Sequence, residues 1–224
     1  MENKEIARSW INNLKAIAKA YDYPTITSCN DSLSMKIIDN ELYIGVAGSN
    51  GNLKDWFGAT GNLRTKQKKI KKLNKSASSG FVKSAIPCFK ELKSQLQGSE
   101  FTKLNISGHS RGGPIASIIA CLAHEEGMFS KIKLTTFGAP RWTTDERFND
   151  YKFIRDSDRV VSAGDKIAEI PPSTPFNKFI DFGNFFLALL LSLILSLIVK
   201  FTYLKVGRAL NDKDYFSDTF IPLA

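Results

Sequence analysis

Apolar positions along the chain alternate between two periods, and the change of period marks the elements. Over residues 3–20, Ile6, Trp10, Leu14, Ile17 and Ala18 recur at helical spacing and predict a helix. Leu33–Ile38 and Leu42–Val46 flank Asp39-Asn40 and predict a hairpin with a short turn. A polar, glycine-bearing loop follows at Gly48–Asn52. Residues 80–97 return to the helical period, with a kink expected at Pro87. A strand is predicted at Lys103–Ser107, then a tight turn and a helix from Ser110 to His124. Further on come a strand at Lys131–Phe137, a short helix around Asp145–Asn149 and a last strand at Tyr151–Arg155. Strands alternating with helices predict an α/β sheet.

The pattern breaks near the C-terminus. Asn184 to Val199 gives sixteen residues without a charge, nearly all Leu, Ile, Phe or Val. Counted from Phe182 to Leu204, with Lys200 reaching an interface, the run meets the roughly 20 residues that a bilayer-spanning helix needs. A helix apolar on every side is also hard to bury in a domain this small. The expected organisation is therefore an α/β domain over 1–183, a hydrophobic transmembrane anchor helix over 184–204 and a tail over 205–224.

Charge adds a second element to this picture. The chain carries 31 Lys and Arg against 22 Asp and Glu, a net charge of +9, which favours anionic partners. Arg64, Lys66, Lys68, Lys69, Lys71, Lys72 and Lys75 concentrate that charge in one run. Without interleaved aromatics the run does not suit nucleic acid. Beside a hydrophobic helix, the Lys66–Lys75 stretch is expected to meet anionic lipid headgroups, with a solvated loop as the bland alternative. The three cysteines, Cys29, Cys88 and Cys121, are too widely spaced for a disulfide framework or a metal-binding pair and read as reduced. With no basic, apolar leader at the N-terminus, they suggest an intracellular or internal-membrane setting. No metal or cofactor is expected.

The chemistry concentrates at Gly108-His109-Ser110-Arg111-Gly112. A serine between glycines, after a strand and before a helix, makes a nucleophile elbow. The turn is too tight for side chains on either side of the serine, and the N–H groups that follow can hold an oxyanion.

Here the chain resembles the class 3 (fungal-type triacylglycerol) lipases of the α/β-hydrolase fold, and further segments match in that family's order. Val46-Ala47-Gly48-Ser49 with Asp55-Trp56 is similar to its Phe-Arg-Gly-Ser/Thr…Asp/Asn-Trp segment. Ser79-Gly80-Phe81 resembles its Gly-Phe helix start, without the usual preceding His. Thr136-Phe137-Gly138-Ala139-Pro140-Arg141 matches its Thr-Phe-Gly-x-Pro-Arg strand. The resemblance implies hydrolysis of lipid acyl esters. Ser110 would be the nucleophile, with the backbone N–H of Arg111 and with Ser49 at the oxyanion hole.

The resemblance also implies an acid and then a histidine, in that order along the chain. Asp158 fits the family's Tyr-x7-Asp spacing counted from Tyr151 and is the first choice, as it follows the predicted strand. Asp165, before Ile170-Pro171-Pro172, is the alternative. The histidine is missing, for the only two are His109 and His124. The elbow backbone turns His109 away from the serine. His124 lies about four turns along the next helix, roughly 20 Å away. Where the family carries its histidine this chain has Asn211-Asp212-Lys213-Asp214, which puts Lys213 or Asp212 at that position, with Lys213 the candidate substitute base. Two readings follow: a membrane-associated lipase or esterase, or a catalytically silent lipase-fold protein acting as a membrane-bound structural or interaction module.

Overall fold

The computed structural model describes residues 2–26, 31–49, 66–162, 165 and 168. The chain divides into two units, Met1–Lys178 and Phe179–Ala224, and every described residue belongs to the first. The apolar run at 184–204 and Lys213 lie outside the described residues. Among those described, no helix is long and apolar enough to cross a membrane.

Helix α1 (Glu2–Asp22) comes first, followed by strands β1 (Leu33–Ile38) and β2 (Glu41–Val46). Asp39 and Asn40, with φ of 49° and 61°, turn the hairpin through the left-handed region that a two-residue connection demands. A second hairpin, β3 (Gln67–Ile70) and β4 (Lys75–Ser78), leads into α2 (Ser79–Gln95), which carries Pro87 inside it. Then come β5 (Lys103–His109), α3 (Gly112–Glu125), β6 (Lys131–Phe137), a 3-10 turn at Glu146–Asp150, α4 (Lys152–Arg155) and β7 (Asp158–Val160).

The main sheet has the order β1-β2-β5-β6-β7, antiparallel at β1–β2 and parallel elsewhere. Its two faces follow from the period of two along each strand. One row runs Met35, Ile44, Ile106 and Leu134 across four strands and packs into the apolar core beneath α2 and α3. The next row runs Ser34, Gly45, Ser107, Thr135 and Asp158 and faces α1. On that side the Ser34 hydroxyl donates to Ala16 O (2.5 Å), the Asn13 amide donates to Thr135 Oγ1 (3.1 Å) and the Ser107 hydroxyl donates to Asn13 O (3.3 Å). At Gly45 the helix comes so near that a Cβ would lie 2.2 Å from the Ala16 carbonyl carbon.

Three sequence readings change. The segment Tyr151–Arg155 is not a strand: Lys152–Arg155 forms one helical turn, and β7 begins only at Asp158. Tyr151 is held instead by aromatic contacts with Phe148, Phe153 and His124. The lysine-rich run is a hairpin rather than a loop. Lys72 pairs with Glu126 (2.5 Å), and Lys75 pairs with Asp150 (2.9 Å) and lies over the Tyr151 ring, while Lys66, Lys68, Lys69 and Lys71 are exposed. Lastly, Cys88 is disulfide-bonded, so it is not reduced; separation along the chain does not limit approach in the fold. Cys121 is a buried free thiol in α3.

Candidate active site

The turn between β5 and α3 is built on close backbone contact. A Cβ on Gly108 would lie 2.2 Å from Gly112 O, and one on Gly112 would lie 2.3 Å from Val46 O. Both positions therefore exclude any side chain. Between them Ser110 has φ of 48°, a left-handed conformation that costs an L-residue free energy and persists only where its surroundings enforce it. The enforcement is visible: Ser110 N–H donates to Phe137 O (2.8 Å), and Gly113 N–H donates back to Ser110 O (3.0 Å). The serine thus stands at the C-terminal edge of the sheet, where α3 begins.

Arg111, next in the chain, is among the most buried side chains of the protein. Its guanidinium donates to Ser84 Oγ in α2 (2.6 Å) and is ion-paired with buried Asp31. Burial pulls its pKa down to about 10. The side chain ties the elbow to α2 and to the segment before β1.

Gly48-Ser49 follows β2 and lies against the elbow. A Cβ at Gly48 would be 3.1 Å from Ser110 Cβ, 2.9 Å from His109 O and 2.6 Å from the Tyr21 hydroxyl. Gly48 N–H donates to that hydroxyl (2.7 Å), which is also 2.8 Å from Nδ1 of His109. The imidazole is thus turned towards α1, and burial lowers its pKa while the charge of Asp165 opposes the shift.

The two candidate acids sit in different places. Asp158 opens β7 level with Thr135, accepts a hydrogen bond from Trp10 Nε1 (3.0 Å) and lies 3.9 Å from Lys133 Nζ. It closes the polar row under α1. Asp165 lies beyond the C-terminal end of β7, where its Oδ2 is 2.9 Å from the point a Cβ on Gly138 would occupy. Gly138 directly follows Phe137, whose carbonyl holds Ser110. His124 is in the last turn of α3, at the end away from Ser110, with its ring centroid 5.3 Å from that of Tyr151. Among the described residues no group of three or more His, Cys, Asp or Glu could hold a metal ion.

Sequence reasoning missed Tyr21, Asp31 and Ser84. The predicted first helix ended one residue short of Tyr21, whereas α1 extends to Asp22. Asp31 and Ser84 carried no signal, because their importance depends on where Arg111 is buried.

Comparison with known families matches lipase (class 3) to residues 43–174, more than half of the chain. Among solved structures, the triacylglyceride lipase of Rhizomucor miehei superposes with a TM-score of 0.59 at 20% identity, over 76% of each chain. Lipase II of Rhizopus niveus gives 0.53 at 16% identity, again over 76% of each. A triacylglycerol lipase whose catalytic centre is a serine protease triad gives 0.57 at 18% identity, over 75% of each. Identities this low speak to the fold, which is that of an α/β-hydrolase. Comparison with curated protein sequences finds no match.

Proposed function

The chain belongs to the class 3 lipase family, and on that premise we propose that it is a serine hydrolase of lipid acyl esters with Ser110 as nucleophile. The observation that carries this reading is the left-handed Ser110, φ 48°, between two glycines that admit no side chain. A serine is held in that conformation at a cost, and presenting Oγ above the sheet edge is what the cost achieves.

In the proposed reaction Ser110 Oγ attacks the ester carbonyl and gives up its proton to a base. The tetrahedral oxyanion is received by the backbone N–H of Arg111 and by Ser49, at the start of α3, where the helix dipole also favours negative charge. Gly48 N–H is already engaged by Tyr21 and is not a donor to the oxyanion. Asp165 is the acid of this reading rather than Asp158, whose carboxylate accepts from Trp10 beneath α1. The candidate base is Lys213, which stands in the sequence where the resemblance puts the family's histidine. The exposed Lys66, Lys68, Lys69 and Lys71 meet anionic headgroups, at about 1 kcal/mol each near a bilayer surface. The uncharged run from Asn184 to Val199 anchors the chain in that bilayer.

The engagement of His109 with Tyr21 and of His124 with Tyr151 favours a second reading, in which the fold is kept without catalysis. A fluorescent fluorophosphonate separates the two. Labelling is expected in the wild-type protein, absent in Ser110→Ala and strongly reduced in Lys213→Met. A folded wild-type protein that does not label would leave the silent reading in its place.

A further inference from the structure

We propose that Tyr21 is a positioning residue that fixes the Gly48-Ser49 loop on the nucleophile elbow, using His109 as its anchor. The inference deepens the hydrolase reading and rests on it for its chemical consequence, though its structural part stands separately.

Three segments distant in sequence meet at the tyrosine hydroxyl: the last turn of α1, the loop after β2 and the elbow after β5. The oxygen accepts from Gly48 N–H at 2.7 Å and is 2.8 Å from His109 Nδ1. A phenol has one proton to give. With its lone pair directed to Gly48, that proton goes to Nδ1, and the chain is complete when the imidazole is neutral with its own proton on Nε2. The setting favours that form. The ring is buried, which disfavours the imidazolium. Around it lie Asp165 at the sheet edge and Tyr21 from α1, and the ring centroids of Tyr21 and His109 are 6.1 Å apart.

This arrangement gives His109 a task other than proton abstraction, although it precedes the nucleophile in the chain. It also explains the crowding at Gly48, where the space a side chain would need is taken by the Tyr21 hydroxyl, the His109 carbonyl and Ser110 Cβ. With the Gly48 N–H held inward, the next peptide carries Ser49 forward to the oxyanion. The Tyr21 hydroxyl then ties the loop to the elbow, next to the Ala47 N–H bond to Ser32 O (2.9 Å) that holds the end of β2. Misplacing an oxyanion donor costs on the order of 10²–10³ in rate where such donors have been removed elsewhere.

The test uses the full chain, wild type and Tyr21→Phe, and reads three quantities: amide hydrogen exchange over residues 45–49, the rate of Ser110 labelling by a fluorophosphonate, and the thermal midpoint. Tyr21→Phe is expected to speed exchange at Gly48 tenfold or more and to slow labelling tenfold or more, with the midpoint moved by only a few degrees. Wild-type exchange in Tyr21→Phe overturns the inference whatever the labelling does. Faster exchange with an unchanged labelling rate overturns the positioning role. A wild-type protein that does not label at all counts against the hydrolase reading, and the exchange arm still decides whether Tyr21 holds the loop. Should Tyr21→Phe fail to fold, His109→Asn, which keeps an acceptor near Nδ1, should exchange like wild type. His109→Leu should then match the expected Tyr21→Phe result. Equal exchange in the two histidine variants would also overturn the proposal.

Discussion

The two faces of the central sheet are made of different materials and do different jobs. Beneath α2 and α3, the row Met35, Ile44, Ile106, Leu134 is apolar and continues into a large core cluster. Beneath α1, the row Ser34, Gly45, Ser107, Thr135, Asp158 is small and polar, and the helix is bonded to it as well as packed on it. The apolar face supplies stability and the rigid turn that carries Ser110. The polar face lets α1 approach closely enough for its last turn to reach the elbow. A row of large aliphatic residues there would hold α1 off the sheet and Tyr21 out of range.

The contrast is broken most severely by Asp31→Ala, which strands the buried Arg111 guanidinium between the apolar core and the elbow. A loss of about 3–5 kcal/mol in denaturant unfolding is expected, and a loss below about 1 kcal/mol would show that the pair is dispensable. Ile106→Ala, on the apolar face and fully buried, should cost about 2–5 kcal/mol. Gly45→Ala should cost about 1–3 kcal/mol by driving a methyl into the α1 backbone, and it should also speed exchange at Gly48 by displacing Tyr21. Ser107→Ala, one residue from Ile106 but on the other face, should cost only about 1 kcal/mol. Equal losses at 106 and 107 would remove the distinction between the faces.

The smallest effect is on pH dependence. His109 has a folded pKa below its unfolded value because burial disfavours the imidazolium, with Asp165 pulling the other way and Tyr21 as its neutral neighbour. The unfolded chain therefore takes up the proton first, and stability falls as pH drops below about 6.5. His109→Asn should flatten that part of the profile. The steeper fall below about pH 4 should remain, where Glu41, Glu126 and Asp145 lose hydrogen bonds that hold their carboxyl groups below the usual range.

The elements with strong period were legible in the sequence. The β1–β2 hairpin and β6 lie where the alternation put them, and the glycine spacing around Ser110 foretold its strained turn. Tyr151–Arg155 misled because a short aromatic segment reads as a strand, whereas here its rings pack on the end of α3. The same misreading bears on the ground for choosing Asp158, which was its place after a strand, for in the structure it opens one. Tyr21, Asp31 and Ser84 were illegible for a different reason. Each acts on a residue at least 27 positions away, and no local period encodes such a pairing.

The glycine at position 45 bears on where this protein should be cut. The matched family segment begins at residue 43, so a fragment trimmed to that segment would lack α1 and β1. It would keep Ser110 and lose the Tyr21 hydroxyl to which Gly48 N–H donates. A fragment intended for assay should therefore keep α1, whose Ala16 backbone lies against Gly45 and whose Tyr21 hydroxyl accepts from Gly48 N–H.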